Sequence, residues 1–369
     1  MAGLDVPVEL GAEFIHGAAG PTRALLRRAG LAAIDSRRAQ RRFEGGRLSP
    51  ASSFDEARRS VEGAVLREDV SFERFLSSRR LPEKTKAYAR MMVEGFDAAD
   101  PKRVSARSII EEWSEGGELD ATHPRPEGGY GRLMDWLAKR LIAKGVSLQL
   151  GAVVREIRWK RGGVTVRGSF LGEPFAVRAR QTIVTLPLGV LQSGAVRFSP
   201  SLVRKREALS RLASGPVVRV AMRFHEAIWE KRAPGVAFFH SPDTPFPTIW
   251  TPLPLRAPLM TAWAGGPKAA RLSGLPERKL IAAALDTVHA VFPRARLANA
   301  LVHDWDQDPC ARGGYSYLLV GGAGARERLA EPLKNTLFFA GEATDSIEAG
   351  TVSGALRSGQ RAAREALRS

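Results

Sequence analysis

The stretch from residue 335 to residue 367 carries the residue types best suited to hold a ligand. Its order predicts a short strand, a Gly-Glu turn, a loop and a helix whose first turns carry Gly350, Gly354 and Gly359. Glycines let a backbone or a flat ligand come close, and the free N–H groups at a helix start attract an anion or a polarised carbonyl. Glu342 could accept hydrogen bonds from ribityl or ribose hydroxyls. A helix that packs on a sheet through its glycines is the alternative interpretation.

The elements that must position such a site are a mixture of helices and strands. Apolar residues at helical spacing predict helices at 127–145, 277–292 and 351–367. Alternating or continuous apolar runs predict strands, which are 6–10, 146–150, 153–159, 163–168, 181–191, 216–224 and 260–265. This mixture predicts an α/β (α+β) protein.

Five stretches, in this order along the chain, resemble the flavin amine oxidase family, which includes monoamine oxidases, polyamine oxidases and lysine-specific histone demethylases. VELGAEFIHG (8–17) is similar to the polyamine-oxidase segment that lies along the flavin. DWDQDPCARGGYSY (304–317) is similar to the loop that brings a Trp and a Tyr to the flavin face. The others are EGGYGRLMDWLAKRL with VSLQLGAVVREI, TIVTLPLGVL, and the C-terminal stretch. The resemblance covers nearly all of the chain.

The resemblance implies two domains, each assembled from separate pieces of the chain. A Rossmann-like, FAD/NAD(P)-binding domain is expected over 1–35, 125–192 and 303–369. A substrate-binding domain of mixed sheet and helices is expected over 36–124 and 193–302.

The start of the chain departs from the family pattern. Family members begin with a strand–G-x-G-x-x-G–helix unit that grips the pyrophosphate, and this motif does not occur in the sequence. We therefore expect an N-terminally truncated FAD domain. The missing unit would be lost from the gene, lost through a misplaced start codon, or supplied by another segment or a partner chain.

Six residues match positions that contact FAD in the family, and these are Gly11, Ala12, Val154, Glu342, Thr351 and Val352. The first two match residues whose backbone meets the isoalloxazine ring, and the third matches one whose backbone meets adenine. The Glu matches one near the ribityl chain and the phosphates. The last two match the helix start that faces the pyrimidine oxygen, where an N–H stabilises negative charge on the reduced flavin. Plain packing is the alternative for each.

Four residues match positions close to the reacting centre. His16 stands where polyamine-type oxidases have a His in the channel, and Trp305 and Tyr315 match aromatic positions that shape the amine site. Flat apolar walls would orient the neutral amine and lower its pKa. Structural roles in the core are the alternative for these three. Arg219 stands where the family usually has a Lys that holds a water against flavin N5; because Arg is bulky, planar and permanently charged, it could instead attract a carboxylate substrate.

Two further departures concern the mode of flavin binding. Gly314 stands where monoamine oxidases have their flavin-linking Cys, and Cys310 lies four residues earlier. Thr351 stands where those enzymes have their second cage tyrosine. We therefore expect non-covalent FAD and a site of the polyamine-oxidase type.

Composition limits the partners and the location. The net charge is +17, but the basic residues are scattered, and the tightest group, Arg37, Arg38, Arg41 and Arg42, has few aromatic neighbours, so we expect no nucleic-acid partner. No apolar run approaches the roughly 18 residues of a membrane span. A single cysteine excludes an internal disulfide and a cysteine metal cluster and fits a reducing cytoplasm.

The predicted function is therefore that of an FAD-dependent oxidoreductase. It would oxidise a C–N bond of a small-molecule amine by hydride transfer to flavin, with O₂ as acceptor, giving an imine or aldehyde and H₂O₂. The acidic residues Glu111, Glu112, Glu115 and Glu118 could attract a cationic amine, or form a solvated loop. Two alternatives stay open: a non-catalytic remnant that no longer binds FAD, and a basic module that binds nucleic acid or protein.

Overall fold

A computed structural model describes residues 7–35, 39–51, 53–115 and 124–369. Its α-helices are Gly20–Ala29, Ser53–Arg58, Phe72–Ser78, Glu83–Gly95, Ala106–Glu115, Gly129–Ala143, Leu188–Ser193, Arg206–Ser210, Trp229–Arg232, Gly266–Leu272, Glu277–Val291, Ala325–Ala330 and Val352–Leu367. Short 3₁₀ turns occupy Val203–Lys205 and Glu342–Thr344. Among the described residues, no helix has the length and apolarity that crossing a bilayer requires.

The largest sheet has seven strands, in the spatial order Leu297–Asp304, Val217–Phe224, Leu259–Gly265, Thr248–Trp250, Val236–His240, Ala39–Glu44 and Arg47–Pro50. Neighbours are antiparallel, except that Val236–His240 and Ala39–Glu44 are parallel. Strand Val217–Phe224 is buried at nearly every position, because helix Glu277–Val291 packs against the sheet and shares its core. Arg219 is therefore placed inside the protein.

The helices between residues 53 and 115 form a second core around Phe72, Tyr88 and Trp113. This unit approaches the large sheet at two glycines. A Cβ on Gly215 would lie 2.3 Å from the carbonyl oxygen of Ala98, and one on Gly265 would lie 2.3 Å from that of Glu94. The close approach brings residues 96–98 to the end of the sheet, where the site described below is found.

A four-stranded sheet, hereafter the outer sheet, has the order Glu173–Ala179, Gly163–Phe170, Ala152–Lys160 and Arg197–Ser199. The first three strands are antiparallel, and the last is parallel to Ala152–Lys160. One face packs Ile157 and Val164 against Val184, Leu337 and Phe339.

The parallel pair Thr182–Val184 and Leu337–Phe339 lies under the outer sheet and leads into the C-terminal helix. Thr351 caps this helix, since its hydroxyl accepts a hydrogen bond from the Gly354 amide at 3.0 Å. The helix buries small residues such as Gly354 and Ala362, which lets it lie close to the strand before it. Two further two-stranded pairs join Ala33–Ile34 to Arg125–Pro126 and Leu212–Ser214 to Ser316–Leu318.

The predicted helices at 127–145, 277–292 and 351–367 are confirmed within two residues at each end. The predicted strand 181–191 is a strand only over Thr182–Val184, because Pro187 begins the turn into helix Leu188–Ser193. Two other predicted strands are wrong. Residues 7–10 of the first stretch form no strand, and the Leu10 carbonyl accepts a hydrogen bond from the Trp305 indole instead; residue 6 lies outside the described residues. Residues 146–150 pair with no described strand, and Leu148 and Leu150 stay exposed.

Candidate functional site

The segment 10–16 is irregular and is fixed by side chains from distant parts of the chain. The indole Nε1 of Trp305 donates a hydrogen bond to the carbonyl oxygen of Leu10 at 2.9 Å. The guanidinium of Arg219 donates from Nη1 to the carbonyl oxygen of Gly11 at 2.8 Å. A Cβ on Gly11 would lie only 3.1 Å from the Trp305 ring, so glycine allows the indole to lie against the backbone. Two of the predicted catalytic residues therefore hold a predicted flavin-contacting segment.

An ion-paired cluster is built around Glu13 of this segment. The Glu13 carboxylate pairs with Arg219, accepts from Arg125 Nε at 2.8 Å and accepts from Trp250 Nε1 at 3.0 Å. Burial acts to raise the pKa of Glu13, but the two guanidiniums outweigh it and hold that pKa below its usual value. Two guanidiniums share one carboxylate, so the cluster keeps a net positive charge. Arg219 is 2% exposed, which leaves its guanidinium little access to a substrate carboxylate.

His16 and Tyr315 meet at Phe96. The His16 ring lies edge-on to the Phe96 ring, with 5.3 Å between centroids. The Tyr315 hydroxyl donates a hydrogen bond to the Phe96 carbonyl oxygen. Burial, and then the charges of Asp97 and Glu112, raise the pKa of Tyr315. Tyr315 is therefore a neutral phenol of fixed orientation.

Asp97 and Glu112 form an acidic pair beside Phe96. Burial, followed by the Glu112 carboxylate, raises the pKa of Asp97 well above its usual value. Glu112 shares a hydrogen bond with Asp97 and lies close to the charge of Arg326. Glu112 is thus the member of the predicted acidic group that joins the site. Glu118 lies outside the described residues, as does the side chain of Glu115.

The start of the C-terminal helix also borders the site. Glu342 Oε2 accepts hydrogen bonds from Ser316 Oγ at 2.7 Å and from the Gly350 amide at 2.9 Å. The Tyr315 ring lies 3.6 Å from the place where a Cβ on Gly350 would stand. These contacts connect Glu342 and Tyr315 through adjacent residues of both loops.

Contacts also join this helix start to the N-terminal segment. Val352 packs on the core that contains Ile15. The Glu348 carboxylate accepts hydrogen bonds from the Ala19 amide at 3.0 Å and from Ser353 Oγ at 2.8 Å. The helix start and the segment that carries His16 are thus neighbours.

The structure therefore brings nine of the ten predicted site residues into one connected region, namely Gly11, Ala12, His16, Arg219, Trp305, Tyr315, Glu342, Thr351 and Val352. Ala12 lies in the same segment with its side chain exposed. Val154 lies apart, on the outer sheet, where it packs on the core around Ile157. The sequence did not indicate Glu13, Arg125, Phe96 or Asp97, because their partners are distant along the chain.

One feature of these residues fits a bound flavin, and two tight contacts shape the site around it. Helix geometry leaves the amides of Val352 and Ser353 without carbonyl partners inside the helix. At Gly354 a Cβ would lie 2.1 Å from the Glu348 carbonyl oxygen, so the loop turns tightly onto the helix start. At Gly314 a Cβ would lie 2.7 Å from Val217 Cγ2, so a side chain there would displace the neighbouring strand.

The sequence profile described as flavin containing amine oxidoreductase matches residues 35–367. The chain belongs to this family. The resemblance predicted from the five stretches is confirmed, and the predicted flavin cofactor agrees with the family.

Two relatives illustrate the similarity. Polyamine oxidase 1 of Oryza sativa subsp. japonica is 30% identical over 311 residues, which are 68% of this chain and 60% of that protein. Lysine-specific histone demethylase 2 of Homo sapiens is 29% identical over 235 residues, which are 60% of this chain and 28% of that protein. The chain thus spans less than two thirds of either relative.

Solved structures show the same fold. Wild-type putrescine oxidase bound to putrescine matches with a TM-score of 0.82 at 18% identity, over 98% of this chain and 88% of that one. Cyclohexylamine oxidase from Brevibacterium oxydans IH-35A matches with a TM-score of 0.77 at 19% identity and the same coverage. The predicted α/β (α+β) class is confirmed as the fold of these amine oxidases.

Proposed function

We propose that this chain forms the greater part of an FAD-dependent amine oxidase that acts on a small-molecule amine. The observation that carries the proposal is the meeting of the segment 10–16 with the Trp305–Tyr315 loop and the helix start at Thr351. The domain bounds 1–35, 125–192 and 303–369 for cofactor and 36–124 and 193–302 for substrate are part of this proposal.

Each group of residues has a defined task. Gly11, held by Arg219 and Trp305, offers its backbone as one wall for the flavin ring. The helix-start amides near Val352 place a positive dipole where the reduced cofactor gains charge. A bound flavin supplies the oxidising power, by taking a hydride from the carbon next to nitrogen.

The aromatic residues prepare the amine. The Trp305 and Tyr315 rings offer flat walls, and the Phe96 carbonyl fixes the phenol of Tyr315. An amine between such walls loses water and its pKa falls, which favours the neutral form that can be oxidised. O₂ would reoxidise the cofactor and give H₂O₂, while the imine is released to hydrolyse.

We propose non-covalent binding of FAD, because Gly314 offers no thiol and has no room for one. Relatives and structural neighbours carry the names of polyamine, putrescine and cyclohexylamine oxidases.

The test is to titrate the purified chain with FAD, follow flavin absorbance and fluorescence, and then measure amine-dependent H₂O₂ release. We expect a yellow protein that loses its flavin to the supernatant on acid precipitation and oxidises at least one of a diamine, a polyamine and a cyclic monoamine. A folded, colourless protein with no flavin uptake would support the alternative of a remnant. A yellow protein without oxidase activity on any of these amines would contradict the proposed reaction.

A further inference from the structure

Basic residues that are scattered along the sequence meet on one face of the outer sheet. Cross-strand pairing sets Arg158 opposite Thr165, and Thr165 opposite Arg178. Strand Ala152–Lys160, which carries Arg158, has strand Arg197–Ser199 on its other side, and there Glu156 lies opposite Arg197. Alternate residues of a strand share a face, so these side chains project in one direction.

Two more cations complete this basic face. Arg167 lies opposite Glu156, and Lys160 follows Arg158 two residues along the same strand. We call this surface the basic face. It consists of five cations and one enclosed carboxylate, which are Arg158, Lys160, Arg167, Arg178, Arg197 and Glu156. Residues two apart on a strand are separated by about 7 Å and neighbouring strands by about 5 Å, so five cations occupy a compact, nearly flat area.

The opposite side of the same strands faces the interior. Ile157 and Val164 are buried there, and Trp159 packs on the same core. The basic face therefore points away from the rest of the described protein. The side chains of Arg197, Arg158 and Arg167 are 70%, 52% and 47% exposed.

One carboxylate cannot neutralise five cations. Glu156 pairs with Arg158 at 2.9 Å and Arg197 at 2.5 Å, and Arg167 lies 3.9 Å away. Glu156 thereby holds three guanidiniums in position, while the basic face as a whole keeps four surplus positive charges. Such a density costs self-repulsion, which a polyanion would relieve.

We infer that the basic face binds the sugar–phosphate backbone of nucleic acid, a role separate from the proposed oxidase site. Guanidiniums match phosphates in a bidentate manner, and most of these cations are arginines. Apart from the ion-paired Glu156, the side chains between them are short, namely Thr165, Ala176 and Ser199, which lets a backbone approach closely. A membrane surface would instead call for apolar residues on the same face. With no aromatic ring among these residues, binding follows charge rather than base sequence.

The experiment measures binding of the purified chain to a fluorescent duplex of about two helical turns by anisotropy, over a series of salt concentrations. Contact with about four phosphates predicts a slope of log K against log[salt] near −4, because each contact contributes about −0.9. The triple variant Arg158→Thr, Lys160→Thr, Arg178→Thr removes three cations and leaves Glu156 two partners. We expect it to reduce the steepness of the slope by about 3.

A matched control removes the same charge elsewhere. The triple variant Arg27→Gln, Arg28→Gln, Arg364→Gln alters exposed helical positions and is expected to keep the slope within about one unit of the unaltered chain. If both variants reduce the steepness of the salt slope equally, total charge rather than the basic face drives binding, and the inference is overturned. Absence of salt-dependent binding, or preference for vesicles of phosphatidylserine over the duplex, would overturn it as well. Flavin uptake and unfolding of all three proteins are measured in parallel, so failure of the oxidase proposal is seen separately.

Discussion

Arg219 and Glu13 form an ion pair inside the protein, and Glu13 belongs to the segment whose backbone we propose meets the flavin. Arg219 also donates to the carbonyl oxygen of Gly11, so one guanidinium fixes both a side chain and the backbone two residues before it. The hypothesis that Arg219 attracts a substrate carboxylate loses support, because Arg219 is buried and both of its terminal nitrogens already donate to Gly11 and Glu13. We interpret Arg219 as a positioning residue.

The first prediction concerns the loss of Glu13. Glu13→Gln would leave the guanidiniums of Arg219 and Arg125 buried without a countercharge. Removal of one partner from a buried pair costs about 3–5 kcal/mol of unfolding free energy. Urea unfolding measures this change. Glu226→Gln is the control, because Glu226 pairs with Lys231 at the surface, where a pair contributes about 0–1 kcal/mol. Similar losses in the two variants would show that the buried pair has no special role.

The second prediction compares two glycines of one helix. Gly354→Ala would place a Cβ 2.1 Å from the Glu348 carbonyl oxygen, whereas no heavy atom lies within 4 Å of a Cβ on Gly359. We expect Gly354→Ala to displace the helix start, destabilise the protein by about 1–3 kcal/mol and weaken FAD binding. Gly359→Ala is expected to stabilise by up to about 1 kcal/mol, as alanine does in a helix. Thermal unfolding with and without FAD tests both, and equal behaviour would contradict the proposed close packing.

Much of the site could be predicted from sequence, because its motifs are local. Glu342 and the glycines of the last strand–turn–helix unit all lie within the short stretch 342–359, and the structure keeps them together. The stretch 146–150 has the alternating pattern of a strand, but pattern alone cannot supply a neighbouring strand to pair with. Glu13 was missed for a related reason, since its partners Arg125 and Arg219 are over a hundred residues away.

The clustering of charge on the basic face could not be predicted for the same reason, because its members are distant along the chain. Linear spacing led us to expect no nucleic-acid partner, since Arg158, Arg178 and Arg197 are about twenty residues apart. Antiparallel pairing places Arg158 and Arg178 two strands apart on one face. The parallel strand Arg197–Ser199 adds Arg197 to the same face. Register, which is fixed by the buried side of the sheet, is what decides the charge of the exposed side.

The third prediction concerns pH. His240 is buried, with Nε2 3.0 Å from Gln40 Oε1. Burial, and then the charge of Arg42, lower the pKa of His240 to about 4. In the unfolded chain a histidine has a pKa of about 6.5, so between these values the unfolded state binds the extra proton and stability falls as the pH falls.

The expected contribution is about 2–3 kcal/mol of unfolding free energy lost between pH 7 and pH 4.5. His240→Gln keeps a polar side chain that does not titrate, so the variant should lose that much less over the same interval. Denaturant unfolding at both pH values measures the difference. Identical losses in the variant and the unaltered chain would assign the pH dependence to carboxylates such as Glu13.

The last prediction separates the role of Trp305 in the site from its role in stability. Trp305→Phe removes the hydrogen bond to the Leu10 carbonyl, and Trp159→Phe removes an equivalent bond to the Pro200 carbonyl, 2.8 Å long, outside the site. Each change should cost about 1 kcal/mol of unfolding free energy. Only Trp305→Phe should also loosen the segment 10–13, so that its amides exchange hydrogen faster and FAD binds about tenfold more weakly. Exchange followed by mass spectrometry does not depend on bound flavin. If both variants leave exchange over 10–13 unchanged, Trp305 does not hold this segment, and its place in the proposed site rests on its ring alone.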